Sequence, residues 1–186
     1  MATIDHGRMT LEAFLELPEE KPALELEADG TVTQKMSPRG RHSTLQWFFL
    51  GLTNGFGGGR VLRAYPELRT IFGGAAYVPD VSVYRIERVP RNAQGEVEDV
   101  FTEPPDIAIE IVSPGQSVSS LVRRSVWYLD NGVRVALVVD PVDRSVLTFR
   151  AGQAPRVAQG GQAIELEEVL PDLELTAERV FASLRD

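Results

Sequence analysis

The sequence predicts an α/β (α+β) fold: a central mixed, strongly twisted β-sheet flanked by helices. Three observations predict it. Apolar periodicity gives a short helix, a β-hairpin, a longer helix, several strands, and then strand–helix–strand–strand. Val133–Val139 is almost continuously apolar, the pattern of a strand covered on both faces. The unit from Asp106 to Asp140 reads strand–helix–strand and should close as a right-handed parallel crossover. The 186 residues show no internal repeat. They are expected to form one domain over 9–186 behind a disordered leader, 1–8.

Each element has a local reason. Met9–Pro18 is a short helix with Thr10 as N-cap, Glu12 in the first turn and Pro18 as the stop. Strands at Ala23–Glu27 and Thr31–Met36 flank Asp29-Gly30, a hairpin-turn dipeptide, and form an N-terminal β-hairpin extension. A helix from Gly40 to Asn54 carries Leu45, Phe48, Phe49 and Leu52 at helical spacing. Gly55-Phe56-Gly57-Gly58-Gly59 ends it. A phosphate cradle would follow a strand and open a helix, and this run does the reverse. Arg60–Tyr65, Leu68–Phe72 and Val81–Ile86 read as strands. Glu87–Pro104 is polar and aperiodic, a surface loop. Asp106–Val112 is a buried strand, and Val118–Asp130 a helix with Val118, Leu121, Val122, Val126 and Leu129 as its buried stripe. Ser145–Arg150 returns as a strand, Gly152–Asp172 holds weak strand signals, and Ala177–Leu184 closes the chain as a helix.

Composition narrows the function classes. No apolar run reaches about 18 residues, the length a membrane helix needs, and the N-terminus lacks signal-peptide regions. A cytoplasmic protein without a membrane partner is expected. There is no cysteine, which excludes disulfides and thiolate metal sites. The net charge of −8 argues against loose, charge-driven nucleic-acid binding but leaves room for a local basic groove. The basic residues are almost all arginine; the only lysines are Lys21 and Lys35.

The informative stretch is Pro105–Pro114, a strand with Glu110 set among apolar neighbours. An ionised carboxylate buried alone costs several kcal/mol, so a cation, hydrogen-bond donors or a metal must compensate it. Glu25 on a strand and Asp80 at a strand start are two further acids placed by position. Carboxylate oxygens of this kind suit Mg²⁺ or Mn²⁺. Such an ion can polarise a scissile phosphate and lower the pKa of an attacking water.

Several short words occur in a fixed order. They are Glu25-Leu26-Glu27-Ala28-Asp29-Gly30, Met36-Ser37-Pro38 with His42, and Pro79-Asp80-Val81. Pro104–Pro114, Tyr128–Val133 and Val138-Val139-Asp140-Pro141 follow. In this the chain resembles the Uma family of restriction-endonuclease-type proteins, on the PD-(D/E)XK nuclease fold, from about Met9 to Phe181. The resemblance implies a restriction-endonuclease-like fold and hydrolysis of DNA phosphodiester bonds with Mg²⁺ (or Mn²⁺). It implies Asp80 and Glu110 as metal ligands, and Glu25 as a ligand of the ion or of its water. It also implies a lysine. The usual nuclease position for that lysine is Val112 here, and the family's alternative position, on the following helix, is Arg124. Ser120 replaces a common aspartate of that helix. Arg124 joins Glu25, Asp80 and Glu110 as a catalytic candidate, able to neutralise charge or hold a phosphate but not to act as a general base. Arg123 and, farther off, Lys35 are the other basic candidates.

Other residues take ordinary roles. His42 reads as a surface or capping histidine. Arg85, Arg88 and Arg91 belong to a solvated loop, and Trp47, Trp127 and Tyr128 to core or interface packing. Two functions are expected. One is a metal-dependent endonuclease acting on DNA. The alternative is a catalytically impaired nuclease-fold protein, a binding or interaction module in which Arg124 pairs with Glu110 in place of a metal. A homodimer is left open in both.

Overall fold

Two β-sheets carry the fold of this protein, whose computed structural model describes residues 2–185. The first sheet is antiparallel, in the order β1 (Ala2–Arg8), β3 (Thr31–Gln34), β2 (Leu24–Leu26), β6 (Ala75–Tyr77), β5 (Thr70–Phe72). The second is mixed, in the order β11 (Arg156–Gln159), β10 (Ser145–Arg150), β9 (Val135–Asp140), β8 (Ile107–Ile111), β7 (Val81–Arg85), β4 (Leu62–Pro66). Four helices join them: α1 (Leu11–Leu15), α2 (Gly40–Gly55), α3 (Val118–Asp130) and α4 (Ala177–Ala182).

The parallel pair β8–β9 is the crossover expected around α3. Side chains alternate across these two strands, so each strand serves two cores. Ile107, Ile109 and Ile111 of β8, with Val135, Leu137 and Val139 of β9, pack beneath α2 and α4. Ala108 and Val112, with Ala136 and Val138, face α3 and the β5–β6 hairpin. Glu110 belongs by parity to the second face. The strand's own period thus aims the carboxylate at α3.

Two expectations are corrected. Of the leader, Met1 lies outside the described residues, and Ala2–Arg8 form β1, paired antiparallel with β3. The N-terminal β2–β3 hairpin forms as expected, and β6 pairs with β2 and builds it into a sheet of five strands. Gly30, at φ +86°, makes the hairpin turn where a Cβ would lie 2.8 Å from the Met9 carbonyl oxygen. The buried stripe of α3 is the second. Leu121, Arg124, Ser125 and Tyr128 are buried, while Val118 and Val126 are exposed. Arg124 and Tyr128 turn inward because carboxylates beneath the helix accept their hydrogen bonds.

The glycine run after α2 is a terminating turn, as its position after a helix predicts. Glu87–Pro104 forms a loop that inserts Phe101 beside Tyr65 and Tyr84. Among the described residues no helix is long and apolar enough to cross a membrane.

Candidate active site

Three strands deliver one carboxylate each to a single small cavity. Glu25 comes from the middle of β2, Asp80 from the residue before β7, and Glu110 from β8. Lys35, Met36, His42, Ile111, Ser113, Gln116 and Arg124 complete the lining of a space of about 20 Å³. That is room for one water or one small ion.

Arg124 reaches in from α3. Its guanidinium holds Glu25 in a fork, at 2.8 Å to Oε2 and 3.1 Å to Oε1, and stands 3.5 Å from Glu110 Oε1. The same guanidinium lies over the Tyr77 ring, 4.6 Å from its centroid. Glu25 Oε1 also accepts the backbone N–H of Val78 at 2.9 Å. Both oxygens of Glu25 are therefore engaged. Glu110 Oε1 accepts the Tyr128 hydroxyl at 2.7 Å. Tyr128 sits one turn beyond Arg124, so one helix face supplies both donors.

Asp80 has a different set of partners. Lys35 Nζ lies 2.5 Å from its Oδ1 and donates also to the Val78 carbonyl at 2.6 Å. His42 Nε2 stands 3.0 Å from Oδ2, and the backbone N–H of Ile111 donates to Oδ2 at 2.7 Å. The last bond ties the Asp80 carboxylate to β8, one residue from Glu110. Gln46, one turn along α2 from His42, donates to the Asp80 carbonyl at 2.8 Å.

The electrostatics follow from burial. Burial raises Glu110 to about 7, although Arg124 and Lys35 pull against it. Burial would raise Asp80 too, but Lys35 and His42 outweigh it and hold its pKa well below the usual carboxylate range. Burial would neutralise Lys35, yet Asp80, Glu110 and Glu25 keep it above the ordinary lysine value. Arg124 is likewise held above its usual value, Glu25 outweighing burial. Two permanent cations thus face three carboxylates. Glu110 is the carboxylate that keeps its proton up to about neutrality.

A family model described as "Putative restriction endonuclease", the Uma2 family, matches residues 11–178. The chain belongs to the Uma2 family. A crystal structure from Anabaena variabilis, described as "a putative nuclease belonging to DUF820", is similar over 95% of this chain and 99% of that one. The two share 33% of their residues and superpose with a TM-score of 0.90. No curated protein matches the chain. The fold is the restriction-endonuclease-like one, and both comparisons support a nuclease-like function.

All four residues expected from the family pattern, Glu25, Asp80, Glu110 and Arg124, meet at this cavity. Lys35, the farther basic candidate, and His42, which reads from sequence as a surface or capping histidine, belong to it as well. Each carried a signal. Glu25 pairs with Thr33 across the hairpin, so Lys35, two residues on, shares the face of Glu25. His42, Leu45, Phe49 and Thr53 are the buried residues of α2, and His42 opens that helical stripe. Tyr128 is core, as expected, but with its hydroxyl on Glu110. Trp47, at 73% exposure, is not a core residue.

A divalent ion fits this donor set in part. Among the described residues no group of three or more His, Asp or Glu side chains stands ready as a ligand cage. Mg²⁺, however, is commonly held by one or two carboxylates together with waters and substrate phosphate. Asp80 and Glu110 are hard oxygen donors on one cavity, and a cation beside Glu110 would favour the ionised form that burial disfavours.

Proposed function

We propose that this Uma2-family chain is a divalent-metal-dependent endonuclease that hydrolyses DNA phosphodiester bonds. The observation that carries the reading is the delivery of Asp80 and Glu110, from adjacent strands, to one ion-sized cavity. Asp80 and Glu110 would hold Mg²⁺ or Mn²⁺. The ion would supply Lewis-acid polarisation of the scissile phosphate and activation of the attacking water. Glu25 is a positioning residue: its bidentate grip fixes the Arg124 guanidinium beside Glu110. Arg124 places positive charge where a phosphorane-like transition state gathers negative charge. The Ile111 N–H and His42 fix the orientation of Asp80. Lys35 and Arg124 are both held protonated, so neither accepts the water's proton. That proton leaves to solvent or to a phosphate oxygen, as the P–O bond to water forms and the bond to the sugar oxygen breaks.

Supercoiled plasmid and duplex oligonucleotides, incubated with Mg²⁺, Mn²⁺ or EDTA, test this. Nicking or cleavage that needs the ion and is lost in Asp80→Ala and Glu110→Ala supports the reading. Cleavage that survives both substitutions refutes the site.

One observation favours a second reading. Arg124 occupies Glu25 and approaches Glu110, and Lys35 occupies Asp80, so each carboxylate has a protein cation at hand. In that reading the chain keeps the nuclease fold as a binding or interaction module without catalysis. Titration with Mn²⁺ by calorimetry separates the two. Micromolar binding that disappears in Asp80→Ala excludes the module.

A further inference from the structure

Lys35 is the one cation of the site that could leave its place. Arg124 is clamped by two oxygens of Glu25 and stacked on Tyr77. Lys35 ends a flexible four-carbon stem and makes single bonds to Asp80 and to the Val78 carbonyl. It also lies on a boundary. On one side is the small cavity; on the other is a groove of about 660 Å³, lined near it by Met36, Ser37, Pro38 and Val78. An ammonium that gave up Asp80 would have that groove to turn into, so no buried charge would be stranded.

We propose that Lys35 is an exchangeable cation, a placeholder that neutralises Asp80 until a divalent ion displaces it from that carboxylate. This rests on the reading of Asp80 as a metal ligand. Ammonium and divalent cation compete for Oδ1 of Asp80, and each weakens the other's hold. The ammonium at 2.5 Å stands where an ion bound to Oδ1 would crowd it. Exchange keeps Asp80 compensated at every stage. It also lowers the apparent affinity for the ion, because that ion must first dislodge a bonded cation.

Calorimetry with Mn²⁺ and Mg²⁺ on the full chain tests the competition. Lys35→Met and Lys35→Gln each remove the charge, and both are expected to bind Mn²⁺ at least about tenfold more tightly than wild type. Lys35→Arg keeps a cation and should not tighten binding. Equal or weaker binding in both neutral variants overturns the proposal. A second measurement needs no substitution at Lys35. The chain has two lysines, so lysine-selective ¹³C labelling yields two side-chain signals, assigned by Lys21→Arg. Mg²⁺ is expected to move the Lys35 signal and leave that of the exposed Lys21 in place. A saturating titration that leaves the Lys35 signal unmoved overturns the proposal even if the variants fail to fold. Failure of wild type and both neutral variants to bind either ion defeats the metal reading itself, and the placeholder with it. Binding by wild type without tightening in the variants defeats the placeholder alone.

Discussion

Replacing Arg124 with methionine isolates what its guanidinium contributes. Arg124 is the fork partner of Glu25 and a neighbour of Glu110, and all three side chains are buried. Removing one member of such a set leaves charge without its counterion, which costs about 3–5 kcal/mol. Loss of the stacked contact with Tyr77 adds about 1 kcal/mol. For a chain of this size each kcal/mol lowers the melting temperature by about 2–4 °C, so Arg124→Met should melt about 8–24 °C below wild type. Urea denaturation of metal-free protein measures the same loss. The structure adds a sharper expectation. Glu25→Leu combined with Arg124→Met removes both partners of the fork, and should recover at least about 1 kcal/mol relative to the sum of the single losses. A loss below about 1 kcal/mol in Arg124→Met, or simple additivity in the double variant, would refute the idea that Arg124 compensates Glu25.

Stability without metal should fall as pH rises through neutrality. The folded state holds the Glu110 proton to about 7 against an ordinary 4.5, so its contribution is full below about 4.5 and lost as pH climbs through about 7. The loss is on the order of 3 kcal/mol, and Glu110→Gln or saturating Mn²⁺ should flatten that limb of the curve. Asp80 acts oppositely: its depressed pKa gives stability above 3.8 that is lost in acid, so Asp80→Asn should reduce acid sensitivity in urea titrations. Tyr128→Phe deletes the 2.7 Å bond to Glu110; denaturation should show a loss of about 1.5–3 kcal/mol. Asp106→Ala strips Arg88 and the Arg85 N–H of their shared acceptor on the opposite end of β8. It should lower thermal stability by several degrees while leaving Mn²⁺ affinity at the wild-type value.

Much of this fold was legible because its strands are either two-faced or wholly apolar. Val133–Val139 announced a strand covered on both sides, and β8 and β9 do divide two cores. Other features were set by pairing between distant segments, which local patterns do not carry. Leu68–Phe72 follows β4 in sequence, yet β5 turns to β6 and joins the hairpin sheet. Ala75–Tyr77 is too short to show a period of its own. The α3 stripe was misplaced for a physical reason: apolar periodicity weighs Val118 and Val126 above Arg124 and Tyr128. The carboxylates beneath the helix reverse that order, because a buried guanidinium or hydroxyl with a partner is better placed than an unsatisfied Glu25 or Glu110. Within the site, Asp80 and Glu110 stood out as acids beside apolar strands. Lys35 and His42 did not, since a lone cation or imidazole near an element's end looks like surface until its acceptor is known. Hairpin register and helical phase, read across elements, were the signals that placed them.

The most direct test of the central claim is a crystal of the chain soaked in Mn²⁺ and examined by anomalous scattering. The account predicts one peak in the small cavity, about 2 Å from oxygens of Asp80 and Glu110, with Glu25 still clasped by Arg124 and Lys35 turned away from Asp80. An empty cavity in which Lys35 still holds Asp80 would contradict it.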